Sequence, residues 1–199
     1  MAVVNYGVGN LRSISKGLEK SGANVEITHS LEDLRSSDAI VLPGVGAFAP
    51  AVRNLAPITD VVNEAMKNGK PILGVCLGLQ LLFTRSSEGG SIRGLDFISG
   101  DIVKLPENVK IPQMGWNTLN IVQSHPLLEG VKDNSYVYFV HSYYPQPSDP
   151  EVIVATTEYG VRFPSMVAKN NLFATQFHPE KSSKTGLNIL KNFVRIVKR

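Results

Sequence analysis

Between residues 2 and 83, short apolar runs alternate with amphipathic segments, and this alternation is the strongest constraint on the fold. Four apolar runs have the character of strands: AVV, NVEIT, DAIVLPG and PILGVC. Two segments between them, LRSISKGLEKSG and PITDVVNEAMKNG, have apolar residues at helical spacing, and Gly22 is a helix terminator. Parallel strands joined by covering helices produce this pattern, so the first half predicts an α/β fold.

After residue 85 the chain consists of shorter β-rich segments separated by Pro, Asn and Gly turns. They are WNTLNIV, YVYFVHSYY, EVIVATTE, SMVAKN and LFATQF, and they predict mixed strands that continue the sheet. The last segment, SSKTGLNILKNFVRIVKR, predicts a helix capped by Ser182 or Ser183. Because no linker rich in Pro, Gly or Ser interrupts the chain, residues 1–199 are expected to form one domain.

Composition narrows the functional classes. The formal net charge is +3 and no dense Lys/Arg run is present, so nothing in the sequence indicates binding to nucleic acid. No apolar run approaches the length of about 20 residues that a membrane-spanning helix needs. The single cysteine excludes an internal disulfide, and the N-terminus lacks the pattern of a secretory signal. A cytoplasmic location is therefore expected.

The single cysteine, Cys76, lies in GVCLG, where a predicted strand leads directly into a predicted helix of sequence LGLQLLF. A nucleophile at such a turn is held in a strained conformation, and flanking glycines, here Gly74 and Gly78, allow chain segments to pass close together. The helix N-terminus favours a thiolate and can donate to a developing oxyanion. Cys76 is therefore either a nucleophile or a buried structural cysteine at a strand end.

A nucleophilic thiol needs a base, and His178 is the strongest candidate among the four histidines. In QFHPEKS, Glu180 follows two residues later along a chain that the intervening proline keeps extended, so imidazole and carboxylate can lie side by side. His-Pro-Glu is also common as a surface turn. His29 and His125 are expected to be solvated or to cap turns, and His141 is expected to line a pocket at a strand end.

GVCLGLQLLF, followed near the end of the chain by QFHPEKS, resembles class I, triad-type glutamine amidotransferases over the whole chain. Four further motifs resemble, more narrowly, the glutaminase subunits of imidazole glycerol phosphate synthases: NYGVGN, LPGVGAF, PQMGWN and YFVHSYY. The resemblance implies a flavodoxin-like α/β fold with a central, mostly parallel sheet, flanking helices and additional mixed strands. It implies no cofactor and no metal.

By this resemblance, Cys76 attacks the side-chain amide of L-glutamine, His178 transfers protons, and Glu180 positions His178. Glutamate and ammonia are the products. The resemblance assigns the backbone N–H groups of Val45 and Leu77 to an oxyanion hole. It also implies a set of substrate contacts: Gly44, Gly46, Gln80, Glu88, His141, Ser142 and Tyr143.

The resemblance further implies a heterodimer with a cyclase subunit, a (β/α)₈ barrel that receives ammonia through an internal channel. The cyclase would form imidazole glycerol phosphate and AICAR in histidine biosynthesis. Asn10, Met114, Trp116 and Lys181 would lie at the docking face, although a lone tryptophan is more often a core residue. The alternatives are a glutaminase subunit for anthranilate, pyridoxal phosphate or a similar synthesis, a cysteine peptidase of the same fold, and a non-enzymatic α/β binding module.

Overall fold

The computed structural model describes residues 1–7 and 9–199. Val8, within the NYGVGN motif, lies outside the described residues. The strands are β1 (Ala2–Val4), β2 (Glu26–Thr28), β3 (Ile40–Leu42), β4 (Ile72–Val75), β5 (Phe83–Ser86), β6 (Ile92–Arg93), β7 (Ile98–Lys104), β8 (Gln113–Thr118), β9 (Asn120–Ile121), β10 (Tyr136–His141), β11 (Tyr143–Pro147), β12 (Ile153–Glu158), β13 (Arg162–Lys169) and β14 (Leu172–Thr175). The α-helices are α1 (Leu11–Lys20), α2 (Leu31–Ser36), α3 (Phe48–Leu55), α4 (Thr59–Lys67), α5 (Leu77–Leu81) and α6 (Ser183–Val197). Short 3-10 helices span Ala56–Ile58, Pro126–Leu128, Pro150–Val152 and Pro179–Lys181.

The largest sheet has eight strands in the order β2-β1-β3-β4-β14-β13-β12-β9. The first five strands in this order are parallel, and the remaining three continue the sheet antiparallel. The parallel part has the order 2-1-3-4-5 of flavodoxin-like proteins, so the predicted α/β class and sheet type are correct.

Helices cover both faces of the parallel strands, so the side chains of β1, β3, β4 and β14 are all buried and point in turn to one face and the other. Val3 and Val41 belong to one apolar cluster with residues of α1 and α6. Val4 and Ile40 belong to a second cluster with residues of α2, α3, α4 and α5. Two cores therefore enclose the sheet and fix the positions of its strand ends.

The prediction that the later strands continue one sheet is correct only in part. β8 and β10 form a two-stranded antiparallel sheet, and β11, β7, β5 and β6 form a four-stranded sheet. The segment WNTLNIV divides at Leu119 into β8 and β9, and YVYFVHSYY divides at Ser142 into β10 and β11. Each of these segments therefore supplies strands to two different sheets.

The helix predicted from Leu77 to Phe83 ends at Leu81. The backbone carbonyl of Leu82 accepts the N–H groups of Phe97 and Ile98 at 2.9 and 3.0 Å. This pairing begins the four-stranded sheet at β5 and ends the helix early.

The short helix α3 was not predicted. The signal for α2 is a capping pattern, because the Ser30 hydroxyl accepts the N–H of Asp33 at 3.3 Å. The predicted end of α1 is correct: the helix ends at Lys20, and Gly22 has a φ of 92°. No helix in residues 1–7 and 9–199 is both long and apolar enough to cross a membrane.

Candidate functional site

Cys76 occupies a sharp turn between β4 and α5. Its φ of 54° and ψ of −104° are angles that residues with a side chain rarely adopt. The Cys76 N–H donates to the carbonyl of Thr175 at 2.7 Å, and the Cys76 carbonyl accepts the N–H of Gln80 at 3.2 Å. The strained turn is therefore held by the neighbouring strand on one side and by α5 on the other.

The flanking glycines allow this turn to pack. A Cβ atom on Gly78 would lie 1.8 Å from the carbonyl oxygen of Leu42, at the end of β3. A Cβ atom on Gly74 would lie 2.8 Å from the carbonyl oxygen of Gly78. The close approach of chain segments that the sequence predicted around Cys76 is thus present.

The side chains of His178 and Glu180 are fully buried, and Nδ1 of His178 lies 2.8 Å from Oε1 of Glu180. The expected extended segment is wrong, because the N–H of Lys181 donates to the His178 carbonyl at 3.0 Å and Pro179–Lys181 is a 3-10 helix. This tight turn nevertheless brings the imidazole and the carboxylate together, as the spacing predicted.

Asn10 contacts this buried pair. Its φ is 76°, and its side-chain amide donates a hydrogen bond to Oε1 of Glu180. The same amide nitrogen lies 3.5 Å from Nδ1 of His178. A residue that the resemblance placed at a docking face therefore also helps to hold the His178–Glu180 pair in this structure.

The pKa of His178 is raised to about 9. Burial lowers this pKa, but the neighbouring Cys76 side chain and the Glu180 carboxylate together raise it by more. The imidazole therefore carries a proton at neutral pH, and a protonated imidazole beside Cys76 stabilises a thiolate.

His141, at the end of β10, has both ring nitrogens engaged. Nδ1 donates to the carbonyl of Tyr143 at 2.8 Å, and Nε2 lies 2.9 Å from the side-chain amide of Gln113. Burial is the main cause that lowers the pKa of His141 to about 4. This ring is therefore neutral and fixed, and its nitrogens are not available as a base for Cys76.

The two remaining histidines have the roles that the sequence predicted. His29 is exposed, and Nδ1 of His125 accepts the N–H of Leu127 at 3.2 Å, which caps the 3-10 helix Pro126–Leu128. Nε2 of His178, by contrast, makes no hydrogen bond within the described residues. His178 is therefore the histidine whose ring can exchange a proton with Cys76.

A pocket opens beside Cys76 at the end of the parallel strands. Its lining residues are Val45, Gly46, Cys76, Leu77, Gln80, Glu88, Pro112, Met114, Val140, His141, Ser142 and Tyr143. The structure thus brings together every substrate contact implied by the resemblance except Gly44. Glu88 accepts the N–H of Phe48 at 3.0 Å at the start of α3, which orients its carboxylate at the pocket wall.

The two oxyanion donors implied by the resemblance are not both free in this conformation. The N–H of Leu77 donates to the carbonyl of Gly44 at 3.4 Å. This carbonyl and the N–H of Val45 belong to one planar trans peptide and point in opposite directions. The Gly44–Val45 peptide must therefore turn over before both N–H groups can face a substrate oxygen.

The Tyr6 side chain contacts the loop after β3 that contains this peptide. Its hydroxyl is buried and donates to the carbonyl of Pro43, and a Cβ atom on Gly44 would lie 2.9 Å from that hydroxyl oxygen. Burial first, and then the proximity of Cys76, raise the pKa of Tyr6, so its hydroxyl remains a donor. The loop after β3 is thus anchored at Pro43, and glycine at position 44 is compatible with either orientation of the peptide that follows it.

Two residues near the base, Ser182 and Gln176, were not predicted to belong to the site. The Ser182 hydroxyl accepts the N–H of Tyr138 at 2.9 Å and donates to the carbonyl of His178 at 2.6 Å, whereas the sequence had predicted a helix-capping role for this side chain. Gln176 is buried beside Cys76. The signal that could have indicated Gln176 is its position two residues before His178 at the end of a buried strand.

Comparisons of sequence identify the relatives of this chain. The model of the glutamine amidotransferase class-I family matches residues 2–197. The imidazole glycerol phosphate synthase subunit HisH of Archaeoglobus fulgidus is 52% identical over 200 residues, which are 100% of both chains. The HisH subunit of Methanocaldococcus jannaschii is 49% identical over 197 residues, which cover 99% of this chain and 100% of that protein.

Comparisons with solved structures support the fold. A structure of PurLQS from Thermotoga maritima matches with a TM-score of 0.79 at 19% identity and covers 98% of this chain and 97% of that chain. A crystal structure described as a glutamine amidotransferase matches with a TM-score of 0.78 at 17% identity, and the match covers 100% of this chain and 99% of that chain. At these identities the similarity extends to the fold alone.

Replacing Glu180 by glutamine should lower the pKa of His178, because a neutral amide stabilises an imidazolium less than a carboxylate does. The raised pKa of His178 adds stability that is fully present below its unfolded value of 6.5 and is lost as the pH rises through about 9. The loss attributable to His178 is roughly 3 kcal/mol, since one pKa unit corresponds to about 1.36 kcal/mol.

The decrease in the free energy of unfolding as the pH rises should be smaller in Glu180→Gln than in the unmodified protein. Denaturant unfolding at a series of pH values between about 6 and 10 measures it. Glu107→Gln, at an exposed position, is the matched control and should behave as the unmodified protein. An equal decrease in Glu180→Gln would contradict a stabilising His178–Glu180 pair.

Proposed function

This chain belongs to the class I glutamine amidotransferase family and, within it, to the HisH subunits of imidazole glycerol phosphate synthase, and from this premise we propose its reaction and its partner. The chain hydrolyses L-glutamine and supplies ammonia to a cyclase subunit. The observation that carries the proposal is the assembly of Cys76, His178 and Glu180 beside a pocket lined by the expected glutamine contacts.

The first half of the reaction forms a covalent intermediate. The Cys76 thiolate attacks the side-chain carbonyl carbon of glutamine, and the carbonyl electrons move onto oxygen. Protonated His178 gives its proton to the amide nitrogen as the C–N bond breaks, so ammonia leaves and a glutamyl thioester remains on Sγ.

The second half uses the same base. Neutral His178 removes a proton from water, and the resulting hydroxide attacks the thioester carbon. The C–S bond breaks, glutamate leaves, and the thiolate is regenerated beside protonated His178. Glutamine and water are thereby converted into glutamate and ammonia with no other reactant.

Glu180 and Asn10 act on the base rather than on the substrate. The Glu180 carboxylate stabilises the imidazolium and fixes the orientation of the ring through Nδ1. Because the Asn10 amide donates to the same carboxylate oxygen, it limits the rotation of that carboxylate. The free ring nitrogen, Nε2, is thereby directed to the reacting groups.

The charged ends of glutamine need fixed partners in the pocket, because burial of an unpaired charge is costly. The carboxylate of Glu88 supplies a counter-charge for the substrate ammonium. The N–H of Phe48 already orients one oxygen of this carboxylate, which reduces the entropy lost when glutamine binds.

The orientation of the Gly44–Val45 peptide provides a way to control the rate of glutamine hydrolysis. In the resting conformation the Gly44 carbonyl takes the N–H of Leu77, so a tetrahedral intermediate would lack this donor. We propose that the isolated chain hydrolyses glutamine slowly and that the partner, with its own substrate bound, favours the turned Gly44–Val45 peptide. Ammonia would then be released only when it can be used.

The surface proposed for the partner lies on the two-stranded β8–β10 sheet. Three large apolar side chains are exposed on this sheet: Met114, Trp116 and Tyr136 are 67%, 53% and 62% exposed. The lone tryptophan is therefore not a core residue, and Trp and Met are enriched in protein interfaces. Lys181 is exposed on a 3-10 helix that packs against β10, so it can contribute a charge beside this face.

The partner proposed for this face is a cyclase subunit with a (β/α)₈ barrel, which forms a heterodimer with this chain and receives the ammonia. It would close the imidazole ring in histidine biosynthesis. We place the complex in the cytoplasm, since a free catalytic thiol such as Cys76 is preserved in a reducing compartment.

Cys76→Ser in the complex should separate the two activities. A serine hydroxyl is far less ionised than a thiol, so glutamine-driven synthesis should fall by at least about 100-fold. Synthesis driven by an ammonium salt at high pH should persist, because the cyclase needs only ammonia and its own substrate. Parallel assays of imidazole glycerol phosphate with each nitrogen source measure both; retained glutamine-driven synthesis, or loss of both activities, would contradict the assignment.

Trp116→Ala should weaken binding of the cyclase subunit by roughly 30-fold, since truncation of a central interface tryptophan costs about 2 kcal/mol. Titration calorimetry of the two subunits measures the affinity. Val122→Ala is the matched control, because Val122 is 57% exposed and lies outside the docking face. Unchanged affinity of Trp116→Ala, with Cys76 still open to a glutamine-like affinity label, would show that the partner binds elsewhere.

A further inference from the structure

Gln176 is a fully buried side chain that touches the reacting sulfur. Its Nε2 lies 3.7 Å from Sγ of Cys76, within hydrogen-bond distance for a sulfur acceptor. Gln176 directly follows β14, and its backbone N–H donates to the carbonyl of Ser165 at 2.9 Å. The sheet therefore fixes the point from which this side chain extends.

A chain of hydrogen bonds determines which end of the Gln176 amide faces the sulfur. Nε2 of Gln80 donates to the carbonyl of Tyr143 at 3.1 Å, and a carbonyl can only accept. The same nitrogen donates to Oε1 of Gln176 at 3.3 Å. The oxygen of Gln176 is thereby engaged, and its NH₂ group points to Cys76.

The other polar contact of Sγ, with a backbone carbonyl, is attractive while the thiol is neutral and becomes repulsive when the thiol ionises. Sγ lies 3.6 Å from the carbonyl of Val140, which accepts from an S–H group but repels a thiolate. The Gln176 amide can donate to sulfur in either state, and a hydrogen bond to an ionised acceptor is about twice as strong as a neutral one. The amide therefore favours the thiolate, whereas the carbonyl favours the thiol.

We propose that Gln176 is a further catalytic residue, whose amide stabilises the negative charge on the Cys76 sulfur. This role rests on the glutaminase function proposed above. In the resting site the amide supports the thiolate once the proton has moved to His178. In the second half of the reaction the same thiolate is the leaving group, so the amide stabilises the charge that develops as the C–S bond breaks.

A change in the pH profile of Cys76 alkylation can be attributed to Gln176 if the titratable groups near the thiol are left unchanged. His178 and Tyr6 lie close enough to interact with the charge of Cys76, and Glu88, His141 and Tyr143 line the adjoining pocket. Gln176→Met, a variant of similar length, replaces none of these five side chains and removes only the amide.

The test is the rate at which iodoacetamide alkylates Cys76 as a function of pH, measured on the isolated full chain by intact mass. Cys76 is the only cysteine, so the mass increase reports this thiol alone. In Gln176→Met the midpoint of the profile should rise by about one pH unit, and the rate below the midpoint should fall roughly tenfold, because hydrogen bonding to a thiolate favours the ionised form. Glutamine-driven synthesis by the complex should fall about as much, with ammonium-driven synthesis unchanged.

Ser165→Ala is the matched control. Its hydroxyl is buried in the neighbouring strand, and the backbone carbonyl that Gln176 uses is retained, so its profile should equal that of the unmodified protein. Gln176→Asn, whose side chain is too short for its amide to reach the sulfur, should show the same rise. It replaces Gln176→Met in the test if the methionine variant folds poorly. An unshifted profile in a folded Gln176 variant would overturn the role of Gln176. A shifted profile in a complex that does not use glutamine would support the contact and refute the glutaminase function instead.

Discussion

The close packing of α5 against the end of β3 is the constraint on which the site depends. Because Gly78 has no side chain, the first turn of α5 can lie against the Leu42 carbonyl, and the preceding Cys76 is held at a positive φ. β4 and β14 are adjacent parallel strands, so their carboxyl ends lie at one edge of the sheet. Cys76 follows one strand and the Gln176–His178 segment follows the other, which places nucleophile and base side by side.

Tyr138 connects the base to the docking face. The Tyr138 carbonyl accepts the N–H of His178 at 2.9 Å, and the Ser182 hydroxyl joins the Tyr138 N–H to the His178 carbonyl. The Tyr138 ring in turn packs edge-on against Trp116, with ring centroids 5.8 Å apart. A partner bound at the docking face would therefore contact an element that fixes the position of the base.

The α/β class could be predicted from the periodicity of apolar residues. Cys76, His178 and Glu180 could be predicted as site residues because each lies in a short local motif. The division of the later strands into three sheets could not, since it depends on long-range pairing such as β5 with β7. The direction of the Gly44–Val45 peptide is likewise not encoded, because glycine permits both orientations. The contact of Asn10 with Glu180 joins positions 170 residues apart and is visible only in the folded chain.

Covalent labelling of the complex tests whether Cys76 is the nucleophile of a glutamine pocket. The label is a glutamine analogue with a chloroketone in place of the side-chain amide, and mass spectrometry locates it. We expect one label per chain, attached to Cys76, together with loss of glutamine hydrolysis and protection by excess L-glutamine. Continued glutamine hydrolysis by a fully labelled complex, or labelling of Cys76 that L-glutamine does not slow, would contradict this role of Cys76.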